Sequence, residues 1–295
     1  MKLSEIRGTG VALVTPFKHN GQIDFHALEK IIQHVIEGGI SNIVSLGTTG
    51  ETPTLSHEEK KDIIKFTIEK VNSRVPVIVG IGGNNTQEII HCMETYPLDK
   101  TLAILSVSPY YSKPSTEGLY QHYKTISQAA PKPVILYNVP SRTGRNIPAE
   151  ITLRLAKDLE NIVAIKEASG DMVQCMHIIK HKPEDFTVVS GDDMLAMPQI
   201  ACGMEGVISV AANYMAQDMS KMIHAALESR FEMARELHFT MMKGFELMFA
   251  ENNPAGIKAF LSAAGLCNNH LRLPVVPVSE PLMKQIKEYI KTYGS

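Results

Sequence analysis

The sequence carries no surplus of charge of either sign. Its 29 lysines and arginines face 31 aspartates and glutamates, and no block of like charges forms that would mark a nucleic-acid or membrane-surface footprint. A small molecule is therefore the expected partner. No apolar run approaches the roughly 20 residues of a membrane span. Met1 to Gly10 holds charge and glycine where a secretory leader holds an apolar stretch, so the expected compartment is the cytoplasm. The four cysteines, Cys92, Cys175, Cys202 and Cys267, include no Cys-x-x-Cys pair. That argues against a disulfide framework or a zinc knuckle and for four reduced thiols.

Short apolar runs recur instead: Val11 to Val14, Ile43 to Leu46, Val75 to Val79, Leu102 to Val107, Val134 to Tyr137, Ile162 to Ile165, Phe186 to Val189, and Gly206 to Val210. Between neighbouring runs there is room for one helix and two loops, as a right-handed βαβ crossover requires. Continuous rather than alternating apolar runs are what strands read as when helices cover one face and a barrel interior fills the other. The intervening segments carry helical punctuation. Asp24 can cap a helix bearing Leu28, Ile31, Ile32, Val35 and Ile36 on one face, with Gly38-Gly39 at its end, and Ser56 with Glu59 reads as a capping box. Further amphipathic stretches lie near Thr86 to Tyr96, Thr116 to Ala130, Pro148 to Leu159 and Asp171 to Ile179.

These observations predict an α/β fold, a (β/α)8 TIM barrel with a C-terminal three-helix appendage, over an open doubly wound sheet. The 295 residues suit a barrel of roughly 250 plus such an appendage. Residues 1–227 are read as the barrel with the active site and 228–295 as the helical domain. Met215 to Ser295 is read as helices only, interrupted at Asn252-Asn253-Pro254 and Leu273-Pro274-Val275. Its frequent methionines are read as core filler.

Barrel enzymes place their chemistry where the strands end. Lys166 extends the run Ile162 to Ile165, and strict alternation puts it on the side of Ile162 and Ala164. On an interior face, desolvation disfavours the ammonium form and supplies the neutral amine that attacks a carbonyl. From spacing alone the commoner alternative is a lysine that leaves the strand for solvent or pairs with Glu167. Gly47-Thr48-Thr49-Gly50 offers hydroxyls and backbone N–H groups suited to a small carboxylate, or simply a glycine turn. Tyr137 can relay protons if a hydroxyl such as that of Thr48 is within reach, and Arg142, between Pro140 and Pro148, can grip a second carboxylate. Gly80 to Asn85 lacks the third glycine of a dinucleotide fingerprint. Asp192-Asp193 has no neighbouring histidine or glutamate at ligand spacing. No cofactor and no metal are expected.

Taken together, Gly47-Thr48-Thr49-Gly50-Glu51, Tyr137 to Gly144, Ile165-Lys166-Glu167-Ala168 and Gly206 to Val210 resemble, nearly end to end and in order, the dihydrodipicolinate synthase family within the N-acetylneuraminate lyase superfamily. The resemblance implies condensation of pyruvate with L-aspartate 4-semialdehyde on the diaminopimelate route to lysine. It makes Lys166 the Schiff-base lysine, and Tyr137, Thr48 and Tyr111 a proton relay. Thr49, with backbone at Gly191 and Ile208, would hold pyruvate, and Arg142 would bind the semialdehyde carboxylate. The same resemblance implies that Tyr111 reaches a neighbouring subunit's site in a homotetramer built as a dimer of dimers. It also places Pro53, His57, Lys60, Asn84, Glu88 and Tyr110 at a cleft in the dimer interface where lysine-inhibited members bind lysine. Lys60 stands where those members carry a non-cationic group, so feedback inhibition is expected to be weak or absent. A lyase acting on another acid and a catalytically inactive barrel are the alternatives; Arg142 speaks against the first, and Lys166 with Tyr137 against the second.

Overall fold

In the computed structural model, which describes residues 3–293, eight parallel strands close into a barrel in sequence order. They are β1 (Gly8–Ala12), β2 (Asn42–Ser45), β3 (Val77–Gly80), β4 (Ala103–Val107), β5 (Val134–Asn138), β6 (Ile162–Glu167), β7 (Thr187–Ser190) and β8 (Gly206–Ser209). Each of the eight apolar runs overlaps one strand. Met1, Lys2, Gly294 and Ser295, at the ends of two stretches discussed above, lie outside the described residues.

The helices alternate with the strands: α1 (Phe25–Glu37), α2 (His57–Val71), α3 (Thr86–Thr95), α4 (Thr116–Ala129), the single turn α5 (Pro140–Thr143), α6 (Ala149–Asp158), α7 (Met172–His181), α8 (Ala196–Ala201) and α9 (Ala216–Leu227). Local chemistry sets their starts. The Asp24 carboxylate accepts the Ala27 N–H at 3.1 Å, and the Ser56 hydroxyl accepts from Glu59 N while the Glu59 carboxylate accepts from Ser56 N. The barrel seam depends on missing side chains: a Cβ on Gly206 would lie 2.3 Å from the Gly8 carbonyl oxygen.

Two core layers result. Ala12, Val44, Ile78, Leu105, Ile135, Tyr137, Ala164, Val189 and Ile208 fill the barrel, together with Ile6. Ile31, Ile43, Ile104, Leu136, Ile165 and Val188 pack outward against the helices. One expectation fails here. Lys166 and Ala164 share a face, but Ile162 belongs to the outer layer, because β6 carries a bulge. Val134 pairs with Ile162 while the next residue, Ile135, pairs with Ala164, which skips Val163 and inverts the alternation below it.

After α9 come α10 (Phe231–Phe249), α11 (Ala255–Ala263) and α12 (Glu280–Thr292). The helices-only reading of this region fails for residues 264–279, a non-helical strap between α11 and α12. The strap contains Leu273-Pro274-Val275, and its backbone groups are met by distant side chains rather than by a helix. Arg272 N donates to Glu51, and Ser279 N to Glu251.

Candidate active site

At the C-terminal ends of the strands the barrel opens into a cavity of about 370 Å³. Lys166 lies on its wall. It lies within β6, level with Tyr137 of β5 and Val189 of β7. The side chain is only 4% exposed, and Nζ sits 4.5 Å from the centre of the Tyr137 ring. Among the described residues it makes no hydrogen bond and no ion pair. Glu167 does not neutralise it: alternation turns that carboxylate outward, where it accepts from Asn138 Nδ2 at 3.0 Å, Ser169 N at 2.7 Å and Gln174 Nε2 at 3.1 Å. Gly191 leaves room for the lysine, since a Cβ there would lie 2.8 Å from Lys166 Cε.

The Thr48 and Thr49 wall is a 3-10 turn, Thr48–Gly50, held between two left-handed residues, Leu46 (φ 59°) and Glu51 (φ 52°). Thr52 secures it by donating to the carbonyls of Leu46 and Gly47. Glu51 turns away from the cavity into a buried ion pair with Lys258 of α11 and accepts Arg272 N at 3.0 Å. Lys258 Nζ also donates to the His270 carbonyl at 3.0 Å and lies 4.2 Å from the centre of the Phe17 ring. Burial pushes the Lys258 amine below the usual lysine range, an effect the Glu51 carboxylate opposes. Arg272 in turn grips Glu59 with two nitrogens, at 2.9 and 2.5 Å. The hydrogen bond from Arg272 is the main reason the Glu59 carboxyl is held down at about 2.

Arg142 lies on α5 and lines the same cavity as the threonines. Its Nη2 donates to the Asn253 carbonyl at 3.1 Å, while Asn253 Nδ2 donates to Thr49 Oγ1 at 3.2 Å. Asn253 therefore joins two walls. In the sequence Asn252-Asn253-Pro254 reads only as a helix breaker, and nothing there marks Phe245, Glu246 and Phe249, with which α10 lines the cavity. No local signal marks these residues, because their role depends on where α10 and α11 dock.

Thus Lys166, Tyr137, Thr48, Thr49, Arg142 and Gly191 surround one cavity. Two other candidates do not. Ile208 lies in the inner core layer, and Val210 reaches the wall in its place. Tyr111 is 90% exposed, in a left-handed backbone conformation (φ 69°), and is not on the wall. No hydrogen bond links Tyr137, Thr48 and Tyr111 among the described residues. Asp192 and Asp193 organise backbone: Asp192 Oδ1 accepts from Met194 N and Leu195 N, and Asp193 Oδ2 accepts from Val210 N at 3.1 Å and Ala211 N at 3.0 Å. Burial pushes Asp193 up to about 6. Among the described residues, no group of three metal-binding side chains lies on the cavity wall.

Residues 5–293 match the Dihydrodipicolinate synthetase family. The chain is 50% identical over 288 residues to the 4-hydroxy-tetrahydrodipicolinate synthase of Azobacteroides pseudotrichonymphae, covering 98% of this chain and 97% of that one. The dihydrodipicolinate synthase structure from Aquifex aeolicus superposes with a TM-score of 0.94 at 40% identity, covering 97% and 98% of the two chains. That of the Acinetobacter baumannii enzyme complexed with pyruvate superposes with a TM-score of 0.95 at 39% identity, covering 98% and 99%. With near-complete coverage in every comparison and the strand-end residues brought to one cavity, the chain belongs to the dihydrodipicolinate synthetase family.

Proposed function

We propose that this protein is a 4-hydroxy-tetrahydrodipicolinate synthase, a class I aldolase-type lyase of lysine and diaminopimelate biosynthesis that holds pyruvate as a Schiff base on Lys166. The observation that carries this reading is the buried, unpaired amine of Lys166 beside Tyr137 in a cavity of about 370 Å³. An amine free of any carboxylate partner and held at the cavity wall is placed to attack a bound carbonyl carbon.

Lys166 Nζ attacks C2 of pyruvate, and loss of water leaves an imine. Loss of a C3 proton gives the enamine, whose C3 forms the new bond to the aldehyde carbon of L-aspartate 4-semialdehyde. The aldehyde oxygen takes up a proton and becomes the hydroxyl. The amine of the former semialdehyde then attacks the imine carbon, closes the ring and expels Lys166 as the free amine. Tyr137, with Thr48 and a partner-subunit copy of Tyr111, serves as the proton relay. Thr49 and the Gly191 backbone hold the pyruvate carboxylate, and Val210 rather than Ile208 lines the pocket beside them. Arg142 receives the semialdehyde carboxylate as a charge-assisted pair.

The exposed Tyr111, at 90%, fits a residue completed by another subunit, and we assign the assembly as a homotetramer. We place the protein in the cytoplasm; among the described residues no helix is long and apolar enough to cross a membrane. The 1–227 and 228–295 division is proposed as the barrel and helical domains.

Incubation with pyruvate and equal amounts of aspartate semialdehyde and N-acetylmannosamine, followed by mass spectrometry, tests this reading. The cyclised semialdehyde adduct is expected. Sialic acid would make the protein a sialic-acid lyase instead, and absence of both product and borohydride-trapped pyruvate would make it an inactive barrel.

A further inference from the structure

Away from the cavity, three donors of different chemical type converge between α2 and α3. His57 is the first residue of α2, and Glu88 and Cys92 stand four apart on α3, so both project from the same face of that helix. His57 Nε2 lies 3.3 Å from Glu88 Oε1. The Cys92 sulfur lies 3.8 Å from Glu88 Oε1 and 4.0 Å from His57 Nδ1. One ligand atom from each residue falls within 4.8 Å of the others. Zinc bonds of roughly 2.0 to 2.3 Å in tetrahedral geometry put donors about 3.3 to 3.8 Å apart; the separations from Glu88 to His57 Nε2 and to the Cys92 sulfur already match this, and the third ligand pair has only to close from within 4.8 Å.

We infer that His57, Glu88 and Cys92 form a binding site for a thiophilic divalent cation of the zinc class, with one coordination position open to solvent. The donor set selects against the alternatives. Imidazole and thiolate suit zinc, whereas magnesium and calcium require oxygen cages. Tyr96 supports the arrangement from behind, with its hydroxyl 3.1 Å from His57 Nδ1. A hydroxyl fixing one ring nitrogen leaves the other directed at Glu88, the way metal-binding histidines are commonly oriented. The sulfur belongs to a buried residue, 8% exposed, while the His57 and Glu88 side chains are half exposed. A cation can therefore enter from solvent and meet the thiol at the inner end.

Charge permits occupancy. Burial, the largest influence, pushes the Cys92 thiol up, and the nearby Glu88 carboxylate adds to this, while a hydrogen bond with Tyr96 and the charge of Lys60 oppose it. A divalent cation displaces the thiol proton to solvent and balances the thiolate and carboxylate charges, so Lys60 would face a neutral cluster rather than an added positive charge. Two of these residues, His57 and Glu88, also belong to the cleft where the family resemblance places a lysine effector. The cation requires Cys92 in addition, and it would tie the start of α2, which directly follows the Thr48–Leu55 segment, to α3.

Titration of the intact protein with cobalt(II), read by absorption, tests the site. One equivalent of cobalt should give a thiolate-to-metal charge-transfer band in the near ultraviolet that zinc abolishes. Cys92→Ser should lose the band entirely, and His57→Ala and Glu88→Gln should each weaken cobalt binding at least tenfold. Borohydride trapping of pyruvate on every variant reports an intact fold and should be unchanged. If Cys92→Ser does not fold, the solvent-exposed His57→Ala decides. A band that survives Cys92→Ser, is indifferent to His57→Ala, or never forms in the parent protein overturns the site.

Discussion

Asn253 Nδ2 donates to Thr49 Oγ1 at 3.2 Å across 204 positions of sequence, while the backbone carbonyl of the same asparagine accepts from Arg142. The residue proposed to hold pyruvate and the residue proposed to hold the semialdehyde are therefore set relative to one another by a loop between α10 and α11. A hydrogen bond of this kind is worth about 0.5–1.5 kcal/mol net. Asn253→Ala should therefore raise KM for one or both substrates by roughly 3- to 10-fold, with the Lys166 imine still formed. Steady-state kinetics beside borohydride trapping would show this, and unchanged KM values would remove Asn253 from substrate positioning.

Lys166→Ala should abolish nearly all turnover while leaving the circular dichroism spectrum and melting temperature close to those of the parent. Tyr137→Phe should cost roughly 10²-fold or more in kcat, the range for a general acid-base group, and still trap pyruvate. Wild-type turnover in Lys166→Ala would exclude the Schiff base.

The buried pair of Glu51 and Lys258 should matter to stability more than any exposed ion pair. Lys258→Met leaves the Glu51 carboxylate without its main partner, a change that costs about 3–5 kcal/mol where a buried pair is broken. The double variant Glu51→Gln/Lys258→Met should recover part of that loss, because it removes both charges. Urea denaturation of Lys258→Met, Glu51→Gln and the double variant measures it; additive losses would show that the two residues act independently.

Two carboxyls should shape acid stability in opposite directions. Glu59 is depressed from 4.5 to about 2 by Arg272. Its contribution is present above pH 4.5 and is lost as pH falls toward 2. Asp193 is raised from 3.8 to about 6 by burial. Its contribution is fully present below pH 3.8 and is lost as pH rises through about 6. Asp193→Asn should therefore flatten the stability profile between those two values, and Glu59→Gln should flatten it below pH 4.5. Chemical denaturation at a series of pH values reads both, and an unaltered profile in either variant would contradict the corresponding assignment.

Lysine at submillimolar concentration should leave activity near its uninhibited level, because Lys60 places a positive charge in the cleft assigned to that effector. Lys60→His should strengthen inhibition. Half-inhibition of the parent protein at submillimolar lysine would refute this.

The sequence by itself determined the barrel. Eight continuous apolar runs separated by capped amphipathic segments call for parallel strands covered on both faces, and their number favours the closed barrel over the open sheet; the polar residues at the ends of those runs include Lys166, Tyr137, the Thr48-Thr49 pair and Arg142. Alternation alone did not place Lys166 correctly relative to Ile162, because the β6 bulge at Val163 arises from pairing with β5 and leaves no local mark. The tertiary structure alone decided that Gly191 must lack a side chain beside Lys166, that Asn253 links Thr49 to Arg142, and that the strap over residues 264–279 carries Arg272 to Glu59. It also set His57 against Glu88 and Cys92. Each of these depends on the distance between segments far apart in the chain. Residue type and periodicity encode how a segment buries itself, whereas such distances are set only when the packed elements meet.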